Sequence, residues 1–144
     1  MTWAYATNST HKGFQSYGKD QMVMYNSLLD RAQELTAKYE DFAGVLPSGT
    51  AIQNLRDFAS RGAGPSETGG SEDSNYDTIN RDGYHLSYGI GRYTAGLTWY
   101  CYITGADPRE VTFLPNNEYR TSIALRRYEI SQSVLDAIQN PYNK

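Results

Sequence analysis

Residues 20–39 read DQMVMYNSLLDRAQELTAKY, and this stretch decides the fold class. Tyr25, Leu28, Leu29, Ala32, Leu35, Thr36 and Tyr39 recur at helical intervals and form one apolar stripe. Lys19, Asp30, Arg31, Gln33, Glu34 and Lys38 fall off that stripe, on the side a helix turns to water. Asp20 precedes the pattern and is a favoured N-cap, because its carboxylate can accept from a free N–H of the first turn. On the N-terminal side, Trp3 and Tyr5 with small residues between them predict a strand. On the C-terminal side, the run Phe42-Ala43-Gly44-Val45-Leu46, closed by Pro47, predicts another. Strand, long helix, strand is a β-α-β unit with parallel strands joined right-handedly, which is the building block of an α/β fold.

Working outward, Thr50 and Gln53 form a capping box that predicts a helix from Ala51 to about Ser60, burying Ile52, Leu55 and Phe58. Residues 61–75 are rich in Gly, Ser and acids and carry no periodicity, which predicts a flexible loop. Asp82-Gly83 signals a turn, and a third helix is expected from about Tyr88 to Thr104, largely buried, with Gly105 stopping it. Gly96 inside that helix is most simply explained by close approach to another backbone. Asp107-Pro108 predicts a short turn, and Ser131, flanked by Ile130 and Leu135, predicts the N-cap of a last helix to about Asn140. Residues 111–127 carry no assignable pattern. Two strands are too few for a parallel sheet to stand alone, so the chain reads as one half of a doubly wound domain.

Composition narrows the function. The 144 residues suit a single domain spanning 1–144, with a net charge of −3 from 13 Lys+Arg against 16 Asp+Glu. An acidic chain without a basic run has no grip on a phosphate backbone, so no nucleic-acid partner is expected. No apolar stretch approaches the ~20 residues needed to span a bilayer, and no membrane partner is expected. One cysteine excludes an internal disulfide, and two histidines without a carboxylate–histidine cluster at ligand spacing argue against a metal; no cofactor is expected. Thr2-Trp3-Ala4-Tyr5 after Met1 lacks the charged start of a signal peptide, so the chain itself gives no compartment.

The segment Asp82-Gly83-Tyr84-His85-Leu86-Ser87 carries the chemistry. A carboxylate three residues before a histidine on a tight turn can accept the Nδ1 hydrogen and hold the ring, leaving Nε2 to act as general base toward a serine hydroxyl. The plainer alternative is an Asp-Gly turn followed by a helix-entry histidine, with Ser87 as N-cap. His11, in the loop after the first expected strand, stands where ligands bind open α/β sheets and is a candidate substrate contact, against the alternative of a solvated loop histidine. Gln53 and Arg56, just past a strand's end, are candidate substrate contacts, or residues of an exposed helix face. Cys101 reads as a small buried apolar residue. The 13 tyrosines could build a sugar-stacking platform, though those on helical stripes read as core with a polar tip.

Three segments together carry a family resemblance. Arg81-Asp82-Gly83-Tyr84-His85-Leu86-Ser87, followed by Gly91-Arg92-Tyr93, Trp99-Tyr100 and Ile103-Thr104-Gly105, resembles the C-terminal catalytic block of the SGNH (GDSL-type) hydrolases, closest to a bacterial branch. Thr2-Trp3-Ala4-Tyr5 before a helix with Met24-Tyr25, and Pro47-Ser48-Gly49-Thr50-Ala51-Ile52-Gln53-Asn54-Leu55-Arg56, are similar to that branch too, so the resemblance covers most of residues 1–115. It implies a flavodoxin-like three-layer α/β/α sandwich with a parallel sheet, of which this chain holds the C-terminal part and few strands. It also implies a serine esterase or acylhydrolase with His85 as base and Asp82 as its orienter. That family carries its nucleophile in a Gly-Asp-Ser-like block, and its glycine and asparagine oxyanion donors also precede the region matched. No such block is present here: the only Gly-Ser step is Gly70-Ser71, and Ser9 and Ser48 lack the context.

The expectation is therefore the C-terminal half of an acyl- or acetyl-ester hydrolase, inactive alone, whose substrate is a small ester or acylated carbohydrate. Its partners are then a missing N-terminal half or a second copy of itself, and its parent could be exported. Two other readings stay open: a non-catalytic carbohydrate-binding or protein-interaction module, and one half of a split enzyme.

Overall fold

The computed structural model describes residues 1–68 and 76–144. In chain order it holds a short 3-10 helix (Lys12–Tyr17), α1 (Gln21–Lys38), α2 (Ser48–Ser60), β1 (Ser66–Thr68), β2 (Thr78–Asn80), α3 (Ile90–Thr104), α4 (Arg120–Leu125) and α5 (Arg127–Gln139). Helices and strands are mixed, and β1 and β2 pair in parallel with Ser66 opposite Thr78 and Thr68 opposite Asn80, so the α/β class holds.

The strands, however, are not the two expected. Residues 1–6 join no ladder among the described residues, because their backbone groups bond to scattered partners. The Met1 ammonium donates to Leu46 O (2.6 Å), Gly49 N to Met1 O (3.2 Å) and Ala6 N to Gly83 O (2.6 Å). Phe42 to Leu46 likewise forms no strand, and Phe42 lies exposed. β1 instead arises inside the tract read as a flexible loop, from the polar triplet Ser66-Glu67-Thr68, which has no apolar alternation to announce it. The remainder of that expected loop, 69–75, lies outside the described residues.

α1 follows the stripe only in its first half. Asp20 caps it, accepting from Val23 N at 3.0 Å, and Met24, Tyr25 and Leu29 are buried. These three join Ala4 and Phe14 in a small core of their own. Farther along, Leu35 and Tyr39 are exposed. The C-terminal tail straps this helix: the Tyr25 hydroxyl donates to Asn143 O (2.6 Å), and the Thr36 and Tyr142 hydroxyls lie 3.1 Å apart.

The larger core is built by α2, α3 and α5 around Ile52, Leu55, Ile79, Ile90, Ile130 and Val134. α2 begins two residues before the expected capping box. Thr50 donates its hydroxyl to Pro141 O (2.7 Å) rather than capping, and Pro47 takes the cap position. Similarly, Ser131 lies inside α5 with its hydroxyl returned to Arg127 O (2.7 Å), because the helix starts earlier, in a region that showed no sequence pattern. α3 ends at Gly105 in the left-handed region (φ 73°), as read. It is buried along one face, Ile90, Thr94, Leu97, Thr98 and Cys101, but its other face is open, with Trp99 56% and Ile103 70% exposed. The glycine that permits close approach is Gly91, where a Cβ would run into Ile79 O of β2; at Gly96 a Cβ would meet nothing within 4 Å.

Arg56 is the hub. Only 4% exposed, it donates Nη2 to Ala4 O (2.9 Å) and Asn80 Oδ1 (3.0 Å) and Nη1 to Gln53 Oε1 (3.2 Å), while Nε lies 3.6 Å from Glu67 Oε1. Burial pulls its pKa down to about 10, opposed by the Glu67 charge, so it stays cationic at neutral pH. One guanidinium thereby ties α2, the N-terminal segment, β1 and β2.

Removing this group leaves several buried acceptors unpaired. Arg56→Ala is expected to cost about 3 kcal/mol or more in urea unfolding. The two α3 glycines should respond in opposite directions: Gly96→Ala should gain about 0.5–1 kcal/mol, while Gly91→Ala should lose stability outright, as thermal unfolding would report.

Candidate functional site

The carboxyl ends of the two parallel strands face the segments that carry the candidate chemistry. Beyond Asn80, the last residue of β2, the chain turns sharply through residues 81–85 and returns as an antiparallel bridge between Asn80 and Leu86. Gly83 makes the turn possible with φ 88°, and a Cβ there would lie 2.9 Å from Ser9 Cα and 3.0 Å from Asn8 Oδ1. The 6–11 loop therefore packs directly on the turn. Asn8 Nδ2 also donates to Thr68 Oγ1 (3.0 Å) at the end of β1, and Thr7 Oγ1 to Glu67 Oε2 (3.1 Å). Both loops thus sit outside the carboxyl ends of the strands, the usual place for ligand binding in open α/β sheets.

Within the turn, Asp82 Oδ2 lies 2.7 Å from His85 Nδ1, while Oδ1 accepts from His85 N (2.8 Å) and Tyr84 N (3.2 Å). Partial burial alone would raise the Asp82 pKa. The hydrogen bonds from the His85 side chain and from the two backbone amides, with the His85 charge, outweigh it and hold the carboxyl below its ordinary 3.8. The ionised carboxylate is therefore a fixed acceptor for Nδ1–H. The His85 side chain is 50% exposed, and among the described residues Nε2 has no hydrogen-bond partner. The loop is held from behind as well. His85 O accepts from Arg81 N (3.1 Å) and Asn80 Nδ2 (3.2 Å), and Tyr84 O accepts from Trp3 Nε1 (2.9 Å). Asn80, fully buried, passes the Arg56 contact on to the backbone of His85.

The other sequence-derived candidates divide. His11 is exposed and sits beside the turn. It caps the 3-10 helix, its Nδ1 accepting from Gly13 N (3.1 Å), and its ring lies 5.1 Å from the rings of both Tyr5 and Tyr84. Tyr84 in turn lies 4.3 Å from the His85 ring. Gln53 and Arg56 are neither on an exposed helix face nor open to a ligand: both are buried and bonded to each other, as structural support beneath the loop. Ser87 is not the N-cap weighed for it, since Gly89 takes that position; its buried hydroxyl instead donates to Thr78 O (2.6 Å) and accepts from Gly91 N (2.9 Å), which ties β2 to the start of α3. Ser9 accepts from His11 N (3.3 Å), Ser48 is the buried first residue of α2, and Gly70-Ser71 lies outside the described residues. Cys101 is buried, and burial pushes its thiol pKa up. Among the described residues no group of His, Cys, Asp and Glu could hold a metal ion, and no helix is long and apolar enough to cross a membrane.

A separate cleft of about 650 Å³ opens between α3 and residues 106–113, walled by Tyr93, Leu97, Tyr100, Val111 and Phe113. Gly96 contributes to its floor.

The molecule is thus an α/β protein with an Asp–His pair at the carboxyl end of parallel strands. It belongs to the DUF4886 family, described as a domain of unknown function, which matches residues 1–128. Over 99% of its length the chain is similar to the crystal structure, at 1.50 Å resolution, of a DUF4886 family protein from Bacteroides uniformis ATCC 8492, with 34% identity and a TM-score of 0.77. The match takes in 47% of that protein, so the chain spans about half its length. No curated protein matches the chain.

Two outcomes follow for the turn. Gly83→Ala combines a left-handed backbone with a clash against Ser9, and is expected to destabilise the protein by at least about 1–3 kcal/mol in chemical denaturation. Because the folded Asp82 pKa lies below its unfolded value, Asp82 contributes stability above about pH 4 that is lost as pH falls through the folded pKa. Asp82→Asn should therefore be less stable than the parent at neutral pH, with the difference closing at acid pH in a pH series of urea melts.

Proposed function

We propose that this chain supplies the acid–base part of a serine ester hydrolase of the SGNH type, acting on a small acyl or acetyl ester, including one carried on a carbohydrate. The observation that carries this reading is the Asp82–His85 contact of 2.7 Å at Nδ1, with the ring half exposed. In the reaction, His85 Nε2 takes the proton from an attacking hydroxyl, and the same nitrogen returns it to the departing alcohol. Asp82 fixes the ring orientation and stabilises the imidazolium that forms. On this reading the hydroxyl and the oxyanion donors are supplied by another part of the enzyme, since the sequence holds no Gly-Asp-Ser block. A base without nucleophile or oxyanion donors has nothing to activate and no developing charge to stabilise.

A second reading, a non-catalytic binding module, draws support from the 650 Å³ apolar cleft and the open aromatic face of α3. Ligand binding without chemistry would register as a sugar-dependent rise in melting temperature.

The purified chain is expected to show no hydrolysis of p-nitrophenyl acetate above buffer and no labelling by a serine-directed fluorophosphonate. Stoichiometric labelling at one of its own serines would overturn the assignment of the nucleophile elsewhere. In an assembly that also contains the nucleophile block, His85→Ala should lower turnover by about 10²–10⁴-fold. Unchanged turnover in that variant would remove the base role.

A further inference from the structure

We infer that His11 is a substrate-positioning residue whose Nε2–H donates a hydrogen bond to an oxygen of the same ester that His85 serves. The inference rests on the hydrolase reading above and names one contact to its substrate. Two imidazoles flank Tyr84, with ring centroids 5.1 Å away for His11 and 4.3 Å for His85. Their partners place the ring protons oppositely. Gly13 N donates to His11 Nδ1 at 3.1 Å, so that nitrogen is unprotonated and the neutral ring carries its hydrogen on Nε2. Asp82, a carboxylate held ionised, can only accept, so His85 Nδ1 carries the hydrogen and Nε2 is left with a lone pair. One aromatic cluster therefore offers a hydrogen-bond donor and a proton acceptor from two loops.

Those loops are locked together, which is what gives the pairing its meaning. Ala6 N donates to Gly83 O (2.6 Å), Ser9 packs on Gly83, and His11 N is bonded to Ser9 Oγ (3.3 Å). The ring of Tyr5 closes the cluster, 5.1 Å from His11 and 5.8 Å from Tyr84. An exposed N–H donor and an exposed base beside the half-buried rings of Tyr5 and Tyr84 suit a ligand that has an apolar ring face and several acceptor oxygens. An O-acetylated sugar meets that description. Because the chain alone lacks a nucleophile, such an ester can be bound without being consumed.

The test uses nitrogen-15 NMR of the whole chain with a mono-O-acetylated methyl glucoside as probe. Expected are a proton on Nε2 of His11 and on Nδ1 of His85, and movement of the His11 ring signals on titration. His11→Asn separates positioning from capping: its side-chain oxygen still accepts from Gly13 N, but the Nε2 donor is gone. That variant should keep the parental melting temperature while its Kd for the probe weakens about tenfold, as for His11→Ala. Parental affinity in His11→Asn, a proton on His11 Nδ1, or unmoved His11 signals at the highest probe concentration would each overturn the inference. A proton on His85 Nε2 would instead overturn the base assignment, with the His11 measurements still deciding the donor role.

Discussion

The Arg56 guanidinium is the constraint on which the rest of this structure depends. It is a buried cation that donates to Gln53, Ala4 and Asn80 and stands beside the Glu67 carboxylate, and neither the N-terminal segment nor β1 nor β2 has a ladder of its own strong enough to hold it in place. β1 and β2 are three residues each, and the N-terminal stretch has no strand partner among the described residues. In a sheet this small, backbone pairing contributes little independent stability. A charged group with several simultaneous acceptors substitutes for the missing ladder. It imposes geometry too, because a planar fork satisfies its acceptors in only one arrangement.

That geometry is transmitted to the reacting groups by short, direct steps. Arg56 holds the Asn80 side-chain oxygen, Asn80 holds the His85 carbonyl, and Asp82 holds the His85 ring. The imidazole is thus gripped at both its backbone and its Nδ1 while its other nitrogen has no partner among the described residues. Arrangements of this kind, with a rigid second layer behind an accessible base, limit the reorganisation needed when a proton moves.

What could be read from the sequence was local. The Asp82-x-x-His85 contact is made within one turn, so spacing alone anticipates it. The first half of α1, the body of α2, and the Gly105 stop of α3 follow from periodicity and backbone preference. Non-local features escaped. A strand exists only if a partner lies beside it, and among the described residues neither Trp3–Tyr5 nor Phe42–Leu46 finds one, whereas polar Ser66-Glu67-Thr68 does. Arg56 and Gln53 read as surface because charged and amide side chains usually are; their burial depends on acceptors from three distant segments. Gly91 and Gly96 are indistinguishable in a helical pattern until the carbonyl of Ile79 appears beside one of them. Asn80 carried no motif, although a buried asparagine just before the Asp-Gly turn is what a braced loop requires.

The two hydrophobic clusters divide the molecule unequally. The small one, Phe14, Met24, Tyr25 and Leu29 with Ala4, carries α1 and the 3-10 helix, and the C-terminal tail is clasped across it. His11 belongs to this smaller lobe through its cap on the 3-10 helix, while His85 belongs to the larger body through β2. The spacing of the two imidazoles therefore depends on the cohesion of these five side chains together with the contacts of Ala6 and Ser9 on Gly83. Any sub-global opening of that lobe, well short of complete unfolding, would part them, so amide exchange in the lobe and the integrity of the paired rings should rise and fall as one cooperative unit.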